Sequence, residues 1–223
     1  MPVLNEAAGM AAALAALTPF INNGARVIVV DGGSTDATVA NAMALADALP
    51  AITVICSGPG RALQMNVGAK HAHGKALLFV HADTALPPGA DVAVTKALAS
   101  GTYAWGRFDV RIDGMSAWLP VVGALMNLRS RLTGIATGDQ TLFMTQAAFA
   151  AVKGFTAQPL MEDIDMSRRL LQLSTPACLR LKVVTSGRRW DARGAGATIV
   201  LMWRLRFAYW RGVPAEQLAQ LYR

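Results

Sequence analysis

The feature of this 223-residue chain that most restricts its fold is a set of short apolar runs, each stopping at a polar or acidic residue, with stretches of helical character between them. Residues 26–30 are rich in β-branched side chains and stop at Asp31. Residues 52–56 form a second run, and residues 75–80 a third that stops at His81-Ala82-Asp83. Between them the Ala-rich stretch 37–49 reads as a helix, as do 61–72 after the Gly58-Pro59-Gly60 turn and 90–99 after Pro87-Pro88. Strand and helix in alternation specify an α/β domain with a mainly parallel sheet, because parallel neighbours need a crossover long enough to hold a helix. The runs are continuously apolar, as expected of strands covered on both faces.

Beyond residue 100 the pattern is less regular. Residues 103–112 alternate large apolar with smaller or polar side chains, which suits a half-buried strand. Residues 116–132 read as a helix bent at Pro120, 141–145 and 179–185 as strands, and 162–173 as a helix carrying Arg168 and Arg169. Helices are expected over 198–210 and 215–222, the second opened by Pro214. No internal repeat, low-complexity tract or linker interrupts the chain, so one domain over 1–223 is expected. Pro2-Val3-Leu4 reads as the end of a truncated first strand whose beginning precedes the chain, since three residues pair poorly by themselves.

Hydrophobic residues make up 53% of the chain and charged residues 16%, which excludes a disordered polymer. Two cysteines, Cys56 and Cys178, cannot build a disulfide framework, so a reducing, cytoplasmic setting is expected. No run supplies the roughly 20 apolar residues of a spanning helix. The net charge of +7 is uneven: residues 1–179 balance, whereas residues 180–223 hold nine basic residues against two acidic ones, Asp191 and Glu216. There Arg204, Arg206 and Arg211 stand among Trp203, Phe207, Tyr209 and Trp210. Cations beside interfacial aromatics suit anionic lipid headgroups, which would hold the protein peripherally at the inner face of a membrane. The plainer reading is a helix that packs its aromatics in the core and solvates its arginines. A nucleic-acid partner has no support beyond this tail, and none is expected.

In open parallel sheets ligands bind at the carboxyl ends of the strands. Those ends carry Asn5-Glu6, then Asp31-Gly32-Gly33-Ser34-Thr35-Asp36, then His81-Ala82-Asp83-Thr84. Three acidic strand ends on one rim suit a ligand with hydroxyls and a metal-bound diphosphate. Ser34, Thr35 and Asp36 read as helix caps. Asp31, placed before two glycines that admit close approach, reads as a functional group accepting from ribose or base donors. No phosphate-binding G-x-x-x-x-G-K-[ST] loop and no G-x-S-x-G nucleophile elbow occurs, and neither glycine cluster follows G-x-G-x-x-G.

Taken in order, residues 2–6, Val30-Asp31-Gly32-Gly33-Ser34-Thr35-Asp36, residues 60–69, Phe79-Val80-His81-Ala82-Asp83-Thr84, Thr137-Gly138-Asp139-Gln140, Met161-Glu162-Asp163 and Ser186-Gly187-Arg188-Arg189-Trp190 resemble the successive motifs of family-2 glycosyltransferases. The likeness spans nearly the whole chain. It is greatest to a small bacterial subgroup associated with radical-SAM and selenium-related gene clusters. It implies a GT-A-type α/β fold, a mainly parallel Rossmann-like sheet flanked by helices. Residues 1–100 would form a nucleotide-sugar-binding half, 101–197 an acceptor and catalytic half, and 198–223 basic C-terminal helices.

The same resemblance implies roles for single residues. Asp31, with Asn5 and Glu6 beside it, would hold the base or ribose. Arg61 would lie near the base or diphosphate, with Gln64 and Asn66 lining the same pocket. Asp83 matches the last Asp of the family's D-x-D, which binds a divalent cation, manganese or magnesium, on the donor diphosphate. His81 replaces the first Asp, as either a metal ligand or a packing group. Glu162-Asp163 resembles the family's E-D pair, with Asp163 as general base and Glu162 orienting a neighbour or binding acceptor. Asp165 stands four residues before Arg169, the spacing of a helix ion pair. Asp139 and Gln140 would form an acceptor loop, Arg189 would neutralise diphosphate, and Trp190 would stack on acceptor or pack in the core. Ser186 stands where the family's Q-x-x-R-W has the Gln associated with processive polymerases, so single-sugar transfer is implied. One base and direct attack imply inversion. The expected donor is a UDP-sugar and the acceptor a hydroxyl, potentially lipid-linked. A sugar-phosphate nucleotidyltransferase would want a Gly-rich basic loop after the first strand, which residues 5–9 lack. A non-catalytic nucleotide-sugar-binding homologue would have lost Asp83 or Asp163, and both are present.

Overall fold

The structure, a computed structural model, describes residues 1–222. It opens with a three-stranded parallel sheet of β1 (Pro2–Val3), β2 (Val27–Asp31) and β3 (Ile52–Cys56), in that order. The crossovers are α1 (Ala7–Ala15) with α2 (Thr18–Asn22), and α3 (Thr38–Ala48). Next come α4 (Arg61–Lys70), β4 (Ala76–Leu78), β5 (Thr84–Ala85), α5 (Ala90–Ala99), β6 (Trp105–Asp113) and α6 (Leu119–Thr133). A 3₁₀ turn (Gly138–Gln140) leads to β7 (Leu142–Thr145), α7 (Gln146–Ala151), α8 (Glu162–Leu170) and β8 (Ala177–Ser186). The chain closes with α9 (Arg188–Arg193), α10 (Ala195–Trp210) and α11 (Ala215–Tyr222).

The alternation expected of the first half is present, and β1 to β3 form a parallel sheet, but the third expected strand, residues 75–80, lies outside it and pairs antiparallel with β7. The other five strands form a mixed sheet of order β4-β7-β6-β8-β5, in which only β6 and β8 run parallel. β1 is two residues long, shorter than expected. Residues 75–80 yield only the three-residue β4, since beyond Phe79 the chain leaves β7 for His81–Asp83. Along β7, Phe143 points into one core with Phe108 and Val110. Leu142 and Met144 point into another with Trp105 and Leu170, the two-residue period of a strand covered on both faces.

Close backbone approaches position α4 and α6. Gly68 lets α4 lie on β2, where a Cβ would stand 3.2 Å from Val30 Cγ2. Gly123 lets α6 lie on β6, where a Cβ would stand 3.3 Å from the Val110 carbonyl. Gly134, at φ 70°, ends α6 in the left-handed conformation that glycine adopts at least cost.

Between α6 and β6 lies a buried ionic group. Arg107 is fully buried; its guanidinium donates to Asp109 Oδ1 and, at 3.1 Å, to the Asn127 carbonyl. Arg131 donates to both Asp109 oxygens at 2.7 and 2.6 Å. Asn127 spans the Val110 backbone, accepting its N–H at 2.8 Å and donating to its carbonyl at 3.0 Å. Removing one member of such a group strands the other charge, which typically costs about 3–5 kcal/mol. Asp109→Ala is therefore expected to lower the urea unfolding free energy by about that much, whereas Asp113→Ala, on an exposed pair with Arg111, should change it by less than about 1 kcal/mol.

Candidate active site

A cavity of about 190 Å³ opens where the ends of β4 and β8, the 3₁₀ turn and the N-terminus of α8 converge. Four acids line it, Asp83, Asp139, Glu162 and Asp163, and four arginines, Arg61, Arg188, Arg189 and Arg206. Each charge is placed by a local feature. Gly60, at φ 127°, turns the chain so that Arg61 begins α4. Met161, at φ 66°, starts α8 with Glu162 and Asp163 in its first turn. His81 and Asp83 occupy the bend between β4 and β5.

The charges interlock. Arg61 lies 3.2 Å from Glu162, which is almost fully buried. Burial opposes the charged form of Arg61, yet Glu162, Asp163, Asp139 and Asp83 together hold its pKa above the ordinary value. Burial, then the nearby Asp163, raises the Glu162 carboxyl, with Arg61 opposing. Burial likewise raises Asp139, with Asp163 and Asp83 adding to it. Asp139 lines the cavity with 49% of its side chain accessible, so solvent screens part of this effect. Asp163 Oδ2 accepts the Gly138 N–H at 2.8 Å and Oδ1 accepts the Ile164 N–H at 2.8 Å. The carboxylate thus pins the 3₁₀ turn to α8.

His81 is pushed down to about 3, first by burial and then by Arg61, so its imidazole is neutral at neutral pH. Its ring lies against Gly138, and Nδ1 is 3.9 Å from Asp139 Oδ1. Arg188 bridges two acids, pairing with both oxygens of Glu6 and standing 3.8 Å from Asp83 Oδ2. Arg189 stacks over the Tyr222 ring at 4.7 Å. Burial, then Arg61, lowers the pKa of Arg189.

The cavity brings together Arg61, His81, Asp83, Asp139, Glu162, Asp163, Arg189 and Trp190 from among the residues expected of a site. Trp190 lines the cavity and packs against the main core. Glu6 joins through Arg188. Five other expected residues make contacts within the protein. Asp31 is buried, and its carboxylate accepts from Gly33 N–H, Ser34 N–H and Ser34 Oγ, so it braces its own loop. Asn5 accepts the Thr35 N–H at 2.9 Å in the same loop. The Gln64 and Asn66 side chains are spent on backbone: Gln64 Nε2 donates to the Val3 and Val30 carbonyls, both at 2.8 Å, and Asn66 exchanges two 2.8 Å bonds with Phe155. Gln140 is fully buried and donates to Ser130 Oγ at 3.0 Å, so it holds the turn from beneath instead of meeting an acceptor. Asp36 does act as a cap, accepting the Thr38 and Ala7 N–H groups at the starts of α3 and α1. Asp165 pairs with Arg169 at 2.7 Å, as its spacing predicted. Sequence reasoning missed the pairing of Arg188 and the contributions of Met202, Arg206 and Tyr222 to the cavity.

The sequence model of the family Glycosyl transferase family 2 matches residues 1–153. The chain belongs to that family. Solved structures share the fold of this family-2 domain at low sequence identity. A mannosyltransferase from Pyrobaculum calidifontis, in complex with GDP-Man and Mn²⁺, is 20% identical with a TM-score of 0.66, over 93% of this chain and 59% of its own. TarS of S. aureus, in complex with UDP-GlcNAc, is 18% identical with a TM-score of 0.66, over 83% of this chain and 56% of its own. Glucosyl-3-phosphoglycerate synthase from Mycobacterium tuberculosis, in complex with Mn²⁺, UDP and phosphoglyceric acid, is 18% identical with a TM-score of 0.61, over 82% and 67%. The chain thus spans under three fifths of the length of the first two. No curated protein sequence matches it.

Gly138 is the tightest point of the site. A Cβ there would stand 2.6 Å from His81 Cε1 and 2.8 Å from Nε2. Gly138→Ala is expected to cost about 1–3 kcal/mol in urea unfolding, the usual penalty for overpacking. His81→Ala in the same chain should recover most of that loss; a double-mutant cycle with no coupling would show that the ring moves aside freely.

Proposed function

We propose that this family-2 domain transfers one sugar, with inversion, from a nucleotide-diphosphate-sugar to a hydroxyl acceptor. The observation that carries the reading is one small cavity in which Asp139 and Asp163 face Asp83, His81 and three arginines, Arg61, Arg188 and Arg189. A UDP-sugar is the proposed donor, in keeping with the UDP and UDP-GlcNAc bound by two proteins of the same fold. Residues 1–100 would serve the donor and 101–197 the acceptor and the chemistry, while the basic C-terminal helices lend Met202, Arg206 and Tyr222 to the cavity wall. Membership of the radical-SAM-associated subgroup is part of the proposal and rests on motif likeness.

In this reading Asp83 and the neutral His81 would hold a divalent cation, which when bound offsets charge on the leaving diphosphate. A hard carboxylate and an imidazole lone pair are suitable donors. No three His, Cys, Asp or Glu side chains among the described residues are grouped to hold a metal by themselves, so the donor diphosphate would complete the set. The guanidiniums of Arg61, Arg188 and Arg189 add positive charge where diphosphate would lie. Asp163 takes the acceptor proton. Its two N–H contacts hold the carboxylate in one orientation, and each oxygen retains a lone pair for the incoming hydroxyl. The acceptor oxygen then bonds to the anomeric carbon from the face opposite the diphosphate, the carbon–oxygen bond to the diphosphate breaks, and the nucleoside diphosphate leaves. Glu162 positions Arg61 and does not compete for the proton.

Asp163→Asn is expected to lower transfer about 10²- to 10⁴-fold, the usual contribution of a positioned base, while the rise in melting temperature caused by donor persists. Asp139→Asn tests the nearest rival: loss of transfer there with retention in Asp163→Asn would make Asp139 the base. Asp83→Asn should remove the manganese-dependent part of the donor-induced melting shift, measured with and without EDTA. An unchanged shift would assign diphosphate binding to the arginines alone.

A further inference from the structure

The exposed aromatics of α10 form a second surface beside the cavity. Val200, Trp203, Phe207 and Trp210 recur at intervals of three and four residues, and thus lie on one face of the helix, each more than half exposed. This is no unfilled part of the core, because the opposite face is already packed. Leu205, 2% exposed, meets Met161, Ile164 and Leu218 beneath it. The reading in which α10 buries its aromatics and solvates only its arginines is therefore overturned. Phe207 and Trp210 stand 5.9 Å apart, with the Arg211 guanidinium 5.9 Å over the Phe207 ring.

The charge around this stripe selects the partner. At 100° per residue Arg204 and Arg211 fall along one edge of the stripe and Arg206 along the other. α10 contains no acidic residue, and among the described residues none of these arginines pairs with a carboxylate. A helix with aromatics on one face and guanidiniums along both edges matches a lipid interface, where rings sit at headgroup level and cations meet anionic headgroups. α6 also exposes a stripe (Trp118, Val121, Leu125, Leu128), but its Arg131 is committed to Asp109 and its Arg129 donates to the Ile135 carbonyl, so it offers no comparable charge. No described helix is long and apolar enough to cross a membrane, so contact along the surface is the geometry available to α10.

We propose that the outer face of α10 docks on an anionic lipid surface and thereby presents the cavity to an acceptor hydroxyl carried by a lipid. The second half of this statement rests on the transferase reading. Met202 and Arg206, on the same helix, line the cavity, so docking brings the cavity wall to the lipid.

The test uses the full chain with sedimenting vesicles of phosphatidylcholine alone or mixed with phosphatidylglycerol. Wild type is expected to sediment with the anionic vesicles at low salt, to be released by high salt, and to remain in solution with phosphatidylcholine. Arg204→Gln with Arg211→Gln should lower the partition coefficient about 30-fold, which corresponds to about 1 kcal/mol per lost basic contact. Trp203→Ser with Trp210→Ser should abolish quenching of tryptophan fluorescence by brominated lipid. Wild type staying in solution with anionic vesicles, or an arginine variant that binds as wild type does, would overturn the proposal. So would a dimer in sedimentation velocity that the tryptophan variant dissolves, since a second copy would then be the occupant. Donor-induced melting shifts measured on the same proteins separate the two readings. Their presence without vesicle binding ends the docking proposal alone. Vesicle binding without any nucleotide-sugar shift leaves docking standing and ends the transferase reading.

Discussion

The site hangs on one buried amide. β1 has two residues, too few to be held by its own ladder, and the carbonyl of Val3 accepts only the Gly32 N–H, at 3.0 Å, from the backbone of the neighbouring strand end. Gln64 Nε2 donates to that carbonyl and to Val30 on the neighbouring strand, clamping both strand ends to α4. Gly32 admits the amide, since a Cβ there would stand 2.9 Å from it. With α4 fixed at Gln64, Arg61 is fixed three residues earlier and reaches Glu162. Glu162 begins α8, the next residue holds the Gly138 turn, and the turn lies against His81. Strand end, helix, turn and imidazole form one connected chain of contacts around the cavity.

Within that frame four acids match four guanidiniums, and two of each are already paired. Arg61 belongs to Glu162 and Arg188 to Glu6 and Asp83. In the proposed reading a diphosphate entering the cavity would compete with these carboxylates, because guanidinium forms equivalent paired bonds with either group; Arg61 could not leave the buried Glu162 without stranding its charge. The exposure of Arg188, whose side chain is 61% accessible, leaves it freest to make that exchange.

Much of the fold was legible. Crossover helices and continuously apolar strands predicted the parallel sheet of β1 to β3, and the polar residues after β4 predicted where the cavity opens. The α8 acids were singled out by their resemblance to the family's E-D pair, and the structure places both in the first turn of α8. The internal contacts of Gln64, Asn66 and Gln140 were not legible for a common reason. A side-chain amide suits a ligand and a backbone carbonyl equally well, and sequence does not record which lies within 3 Å. Asp31 followed the same course, as a carboxylate before two glycines can accept from a ligand or from the loop it starts.

What the sequence by itself determined was every property set by neighbours a few residues away: the strand and helix alternation, the Asp165–Arg169 pair, the cap at Asp36 and the concentration of positive charge in the last 44 residues. The tertiary structure decided the properties that join distant segments. Glu6 and Arg188 are 182 residues apart, and their pairing follows only from β1 and the end of β8 meeting at one rim. The outward aromatics of α10 were undecided in the same way. Apolar residues occur all round that helix, so periodicity names no buried face. The choice was made where Leu205 found Ile164 and Leu218, leaving Trp203, Phe207 and Trp210 to the outside.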